Sequence, residues 1–270
     1  SKENIVAHYD LGNDFYRLFL DETLTYSCGI FEHEDCTLEA ASIAKYDRIC
    51  RKLQLQPDDH VIEIGGGWGG FSIHAAKNYG CRVTTTTISD EQYALAEKCI
   101  SESGLSHRIR LLRKDYRHLG GKFDKLVSIE MIEAVGEKYW PTYFGMLKER
   151  LAQNGRAVIQ AITVEDSYFE TYRRNSDYIR QYTFPGGMLL SSQQIRDQAA
   201  KSGLVVKDNF AFGQDYARTC RIWAERLNAM APKIAGLGHD SSFQRNWKYY
   251  LELCAGTFAV GQTDVVQVEL

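Results

Sequence analysis

The chain has 270 residues, 44% of them hydrophobic, and a formal net charge of -3 at pH 7. That is enough for one α/β unit with an insertion and a sizeable core, and the slight acidity argues against wholesale nucleic-acid binding. No apolar run approaches the roughly 20 residues of a spanning helix, and "SKENIVAHYD" does not read as a signal peptide. Seven cysteines (28, 36, 50, 81, 99, 220, 254) are dispersed, with no CxxC and no Cys/His cluster; this fits reduced thiols in a cytoplasmic protein and no metal site.

The first 37 residues are rich in aromatics: Tyr9, Phe15, Tyr16, Phe19, Tyr26 and Phe31. They read as an N-terminal cap, 1–37. Residues 38–54 place Leu38, Ala41, Ile43, Ala44, Ile49, Cys50 and Leu53 on one helical face. A short strand "HVIEI" follows, and a glycine loop then opens a helix that Gly80 ends. "CRVTTTTI" is β-branched and strand-like, and Asp90 is placed to cap a helix through Ile100. "RIRLL", "KLVSIE" and "AVIQAIT" read as further strands, with a helix around 139–151 before the last. Residues 192–203 read as a helix, 204–211 as a strand and "TDVVQVEL" as the closing strand. Strands alternating with helices imply a mostly parallel sheet covered on both faces. No polar linker marks a boundary, so residues 1–270 are taken as a single domain. The connection 164–191 is too long for a turn and reads as a lid insertion.

"VIEIGGGWGG" (61–70) carries the chemistry-bearing turn. Gly65, Gly67 and Gly70 match GxGxxG, where small residues let a ligand approach a helix N-terminus. The turn serves NAD, FAD or S-adenosylmethionine (SAM), and in some chains no ligand at all. Glu63, two residues before Gly65, can organise the loop around a cationic methionyl group. The ribose acid expected after the second strand for NAD is missing, since the chain reads "TTTTIS" there. "DYR" (115–117) falls between the third and fourth strands, where an aromatic can lie on an adenine; Asp115 is equally at home in a solvated loop. These features favour SAM.

Six stretches sharpen this reading: "HYDLGNDFYRLFLDETLTYSCGIF" (8–31), "VIEIGGGWGG", "SIEMIEAVG" (128–136), "DYIRQYTFPGG" (177–187), "DYARTCRIW" (215–223) and "CAGTFAVGQTDVVQVEL" (254–270). In this order they resemble the cyclopropane-fatty-acyl-phospholipid synthase family, mycolic acid cyclopropane synthases included. The resemblance implies a class I SAM-dependent methyltransferase (Rossmann-like) fold of seven strands, the last antiparallel, with helical lid insertions. It implies a substrate, the cis double bond of an unsaturated phospholipid acyl chain, and a bicarbonate ion as base. Carried over by motif, Cys28, Glu133, Tyr216, Gln160 and the backbone of Ile162 would surround bicarbonate. Tyr26, Ser27, Glu63, Gly65, Gly67, Trp68, Gly69, Thr87, Ile88, Gln92, Tyr116 and Arg117 would surround SAM. The chain departs from the family pattern at Gln160, often histidine, at Glu133-Ala134, often glutamate-histidine, and at Leu190, usually proline. The accessory N-terminal domain of some bacterial members has no counterpart in these residues.

The chemistry explains such a set. An alkene is a feeble nucleophile, so the sulfonium must be held against it. Methyl transfer leaves a carbocation that water would quench, so the site must be dry. A base then takes a proton from the new methyl, and the ring closes. Glu133 beside a bound anion would share a proton with it. Each residue also has a plainer role: Cys28 as packing, Glu133 as a helix-start acid, Gln160 as a backbone-paired amide, Tyr216 as a helix anchor. Tyr168, Phe169 and Tyr172, at helical spacing with Arg173, Arg174 and Arg180 nearby, read either as a membrane-facing segment or as core packing of the lid. Alternatives keep the fold and change the outcome: a 10-methyl fatty acid enzyme, a small-amine N-methyltransferase, or a non-catalytic SAM- or lipid-binding protein.

Overall fold

The computed structural model describes residues 11–270. Tyr9 and the opening of the stretch 8–31 lie outside them. The first element of the cap among the described residues is one helical turn, α1 (Asn13–Tyr16). Helix α2 (Leu38–Leu53) starts where the Thr37 side chain accepts from the Ala40 N–H, and ends at Gln54 in the left-handed conformation. Its buried face carries Leu38, Ala41, Ser42, Lys45, Tyr46, Ile49, Cys50 and Leu53. Ile43 points outward instead, because the face follows the 3.6-residue period through Ser42 and Lys45.

The alternation then runs as the sequence predicts: β1 (His60–Ile64), α3 (Gly70–Tyr79), β2 (Arg82–Thr87), α4 (Asp90–Glu102), β3 (Ile109–Arg113), β4 (Phe123–Ile129), α5 (Trp140–Arg150) and β5 (Leu151–Val164). Ser89, not Asp90, caps α4: its hydroxyl accepts from the Gln92 N–H, and Asp90 becomes a first-turn acid. The lid holds only a short helix, α6 (Phe169–Arg174), and a wide turn at Ile179–Thr183 before β6 (Leu190–Ser191). Then come α7 (Ser192–Lys201) and β7 (Asp208–Ala211), which starts later than the expected 204. Three helices that the sequence reading leaves unassigned follow: α8 (Gly213–Ala229), α9 (Ala231–Gly236) and α10 (Ser241–Ala259). Strand β8 (Thr263–Glu269) closes the chain.

The sheet order is β3-β2-β1-β4-β5-β8-β7, with β6 pairing beside β5. Strand β8 runs antiparallel to both β5 and β7; the neighbours from β3 to β5 are parallel. The order reverses between β1 and β4, and in such sheets the crevice at that reversal takes the ligand. One apolar core lies under α5 and α7, a second under α2, α3 and α4, and a third joins the cap to α8 and α10.

That third core is a continuous aromatic assembly. Phe15, Tyr16, Phe19, Tyr26, Trp223 and Trp247 pack with ring centroids 5.0–6.5 Å apart, mostly tilted or edge to face. Trp68 of the glycine loop joins it, 5.0 Å from Tyr16. Its indole N–H donates to Asn13 Oδ1 at 2.7 Å, and the Asn13 amide donates to the Glu91 carbonyl at 3.1 Å. Asn13 thus ties cap, loop and α4 together. Asn13→Ala should lower unfolding stability by about 1–3 kcal/mol, read as a lower urea midpoint; an unchanged midpoint would show that the aromatic packing alone seats the cap.

Candidate active site

The glycine loop lies at the sheet reversal and is built from below by β1 and β2. Glu63 is buried, and its Oε2 accepts from Thr85 Oγ1 at 2.6 Å and from the Ser72 hydroxyl. The Gly66 N–H donates to the Thr86 carbonyl at 2.8 Å. The run of threonines is therefore a polar lattice that pins the loop. A Cβ at Gly66 would fall 1.9 Å from Thr85 Oγ1, so only glycine fits. At Gly67, with φ +54, a Cβ would meet nothing within 4 Å. The loop is closed beneath and open above, as a backbone cradle for a ligand requires. Glu63 serves it as the floor.

Among the other residues assigned to SAM, Thr87 Oγ1 bonds Gln92 Oε1 at 2.9 Å, ordering the turn through Ile88 at the end of β2. Tyr116 packs edge-on to Tyr143 at 5.9 Å, and Arg117 is clamped by Asp115 through bonds of 2.9 and 2.7 Å. Ser27 Oγ accepts from Lys45 Nζ at 2.5 Å, and the Tyr26 hydroxyl lies 3.3 Å from that of Tyr250. Trp68 stands apart, because its ring is packed under the cap and only its backbone belongs to the loop.

Next to this cradle stand two carboxylates. A Cβ on Gly65 would touch Met131, so the loop directly abuts the segment leaving β4. Strand β4 ends at Ile129. Glu133, on the turn Ile132–Ala134, accepts the Ile162 N–H through Oε1 at 2.6 Å. Glu130, which the sequence reading missed, sits between. Its Oε1 accepts from the Cys28 N–H at 2.9 Å and from Gln160 Nε2 at 2.8 Å. Its Oε2 accepts from the Tyr216 hydroxyl at 2.5 Å. Gln160 is oriented in turn by Gln267, which donates to its Oε1 at 3.0 Å. Gln160 and Ile162 lie two apart on β5, and each binds one of the two carboxylates. Cys28, Glu133, Gln160, Ile162 and Tyr216 thus converge as the resemblance implies. The Cys28 contribution is its backbone, since its thiol donates to the Gly29 carbonyl at 3.1 Å.

Comparisons with known proteins give the family and the fold. The family model "Mycolic acid cyclopropane synthetase" matches residues 1–268. The chain belongs to that family. It is 39% identical over 275 residues to tuberculostearic acid methyltransferase UfaA1 of Mycobacterium tuberculosis, covering 99% of this chain and 64% of that protein. It is also 39% identical over 262 residues to cyclopropane-fatty-acyl-phospholipid synthase of Escherichia coli, covering 97% of this chain and 65% of that protein. The chain therefore spans just under two thirds of the length of both relatives. Its structure superposes with TM-score 0.94 on mycolic acid cyclopropane synthase CmaA1 complexed with SAH and CTAB, at 31% identity, covering 100% of this chain and 97% of that one. The fold is that of the class I SAM-dependent methyltransferases.

In this family member the carboxylate pair is electrostatically uneven. Glu130 is pushed up by desolvation but drawn down by Tyr216, Lys45, the Cys28 N–H and Gln160. Glu133 has one donor, and its Oε2 is buried without a partner. Desolvation and the charge of Glu130 push its carboxyl up to about 8. Near neutral pH Glu133 therefore holds a proton, and the donors around Glu130 favour its charged form. Lys45, fully buried on α2, supplies the counter-charge, although burial lowers its ammonium to about 8. Burial keeps the Cys28 thiol and the Tyr216 phenol protonated. A free bicarbonate ion does not fit this arrangement, because Glu130 already engages the Cys28, Gln160 and Tyr216 donors.

The lid resolves into packing at one end and display at the other. Phe169 and Tyr172 are core residues. Arg173 pairs with Glu137 at 2.8 Å, and Arg174 lies 3.6 Å from Glu170. Arg180 bonds Asp177 at 2.8 Å and covers the Tyr172 ring. The "FPGG" turn (184–187) closes over the site, where the Met188 N–H donates to the Glu133 carbonyl at 2.9 Å.

The elevated Glu133 carboxyl has a measurable consequence. Its folded value, about 8, exceeds its ordinary value of 4.5, so its contribution to stability is full below pH 4.5 and is lost as pH rises through 8. An amide stays neutral throughout. The stability of Glu133→Gln relative to the parent should therefore increase from pH 5 to pH 8, followed by thermal melting; a difference independent of pH would place the proton elsewhere.

Proposed function

We propose that the chain transfers the SAM methyl group to the cis double bond of an unsaturated phospholipid acyl chain, and that loss of a proton closes a cyclopropane ring. The observation that carries this reading is the placement of an anionic, donor-lined cradle between a ligand-shaped glycine loop and an aromatic wall. An amine acceptor needs no such cradle. Bound SAM would supply an electrophilic methyl group. The 65–69 loop, Thr87 to Gln92, Tyr116 and Arg117 would hold its nucleoside and methionyl parts, with Tyr26 and Ser27 facing from the cap.

The protein's own part is shape and field. The cap and helices α8 and α10 exclude water, which is what a carbocation needs. Aromatic faces such as Tyr26, Trp223 and Tyr216 favour a nearby cation by roughly 0.5–2 kcal/mol each. Tyr216 is itself stacked on Phe258 at 4.4 Å, so its ring is fixed. Lipid access fits the far end of the lid. Tyr182 and Tyr249 are 66% and 53% exposed, and both lie against Tyr178, at 5.1 and 4.7 Å. Exposed tyrosines at an aromatic core suit a membrane interface. Among the described residues no helix is long and apolar enough to cross a membrane, so the contact proposed is peripheral.

A methyl-branched product is a second reading, favoured by the relative named as a tuberculostearic acid methyltransferase. Mass spectrometry of lipids from expressing cells separates the two. Loss of a different proton from the cation gives a methylene branch, which like the ring adds one CH₂ but is cleaved by ozone; a saturated methyl branch carries two further hydrogens, added by a separate reductase, and shows them in its mass. Acyl chains without added carbon would dismiss both readings. Isothermal calorimetry should show S-adenosylhomocysteine binding that Gly67→Val abolishes, because the branched side chain would enter the open side of the cradle and strain a positive φ. NADH binding without a response to S-adenosylhomocysteine would assign the loop to another ligand.

Tyr182→Ser with Tyr249→Ser should weaken sedimentation with anionic vesicles while S-adenosylhomocysteine binding persists. Unchanged sedimentation would remove these tyrosines from the lipid path.

A further inference from the structure

We propose that Glu130 is the resident base of this reaction, its carboxylate standing in the donor cradle where the family resemblance implies a free anion. The inference rests on the olefin-methylating reading above and goes beyond it by naming the proton acceptor.

Three observations carry it. The first is coordination. Both carboxylate oxygens are held, by the Cys28 N–H at 2.9 Å, the Gln160 amide at 2.8 Å and the Tyr216 hydroxyl at 2.5 Å. These are three of the five groups assigned to the ion, and a fourth, the Ile162 N–H, is taken by Glu133. The cradle is intact and filled from within the chain. The second is backbone conformation. Glu130 has φ +48, one of four non-glycine residues with positive φ among those described. That conformation disfavours a side chain with a Cβ, and such outliers persist where the surroundings over-determine them. Here the Glu130 N–H donates to the Gln160 carbonyl at 2.8 Å while its carboxylate takes the Gln160 amide, so the bend aims the side chain into the cradle. The third is the contrast with Glu133. Both residues are half-buried, but the remaining oxygen of Glu133 has no partner, whereas both oxygens of Glu130 meet donors from the cap, β5 and α8. Of the two carboxylates, Glu130 is the one built to hold a negative charge.

The step balances without another reactant. The alkene π pair bonds the incoming methyl carbon as the carbon–sulfur bond breaks, and sulfur keeps that bond's electron pair. The neighbouring acyl carbon becomes cationic. A C–H bond of the new methyl breaks, its electron pair closes the ring, and the proton passes to Glu130. The neutral carboxyl releases it to water when the lipid leaves. Glu133, already protonated, does not compete for it.

The test follows S-adenosylhomocysteine release from vesicles of dioleoyl phosphatidylglycerol with SAM. Under rigorous exclusion of carbon dioxide the parent protein should keep its rate, and added bicarbonate should not raise it. Glu130→Gln should lose ~10²–10⁴-fold, the range for removing a general base, with S-adenosylhomocysteine affinity retained. Glu130→Gly relieves the positive φ and vacates the carboxylate volume; it should be inactive without carbon dioxide and regain turnover with bicarbonate or formate. A merely structural role would not show that rescue. A parent rate that falls without carbon dioxide and returns with bicarbonate would overturn the proposal. So would a Glu130→Gln protein of parental rate, or a folded Glu130→Gly protein that neither anion restores. Lack of S-adenosylhomocysteine release by the parent with any olefinic lipid would instead remove the functional reading on which the inference rests.

Discussion

A carboxylate held among protein atoms stays ionised only if donors and a counter-charge come to it. Glu130 imposes that requirement on this chain. The Cys28 N–H comes from the cap, the Gln160 amide from β5, the Tyr216 hydroxyl from α8, and the Lys45 charge from α2. Four segments far apart in sequence meet at the end of β4 because one charge must be satisfied. Hydrogen bonds to a charged group contribute about 1.5–3 kcal/mol each, so three of them offset much of the desolvation of the acid. Cap, sheet and C-terminal helices are thus registered against one another at the point where chemistry is placed.

The aromatic assembly has the complementary task. Its packed rings adjoin the same point, and its polar atoms are few, chiefly tyrosine hydroxyls such as the Tyr26–Tyr250 pair and the indole N–H groups. Its rings come from the cap and from the two long helices before β8, so neither part makes the wall alone. Trp68 extends the wall into the glycine loop, and Asn13 fastens that joint. Ligand cradle and hydrophobic wall are consequently one mechanical unit.

The lid divides its residues differently from a simple amphipathic segment. Its arginines are largely occupied by Glu137, Glu170 and Asp177, and two of its aromatics are core. Its turn at 184–187 is tied to the Glu133 backbone. The lid thereby contacts the carboxylate segment on one side and displays Tyr182 to solvent on the other.

The local code carried much of this. Periodicity marked α2 and the β/α alternation, because an amphipathic helix and a buried strand write their periods into neighbouring residues. The glycine loop was legible for a similar reason: Gly67 answers the positive φ of its own turn, although Gly66 answers Thr85 on the neighbouring strand. The residues Cys28, Glu133, Gln160, Ile162 and Tyr216 were legible only through family motifs, since nothing local says that they meet. Three decisions belonged to tertiary structure alone. Helices α8 and α10 bury their faces against the cap, a partner more than 180 residues away in places, so their assignment waited on the third core. The Trp68 ring packs against the cap for the same reason. Glu130 reads in sequence as one more acid after a strand; its meaning appears only when a left-handed bend points it at donors from three distant segments, because the free energy that holds a charge there is set by what surrounds it in space.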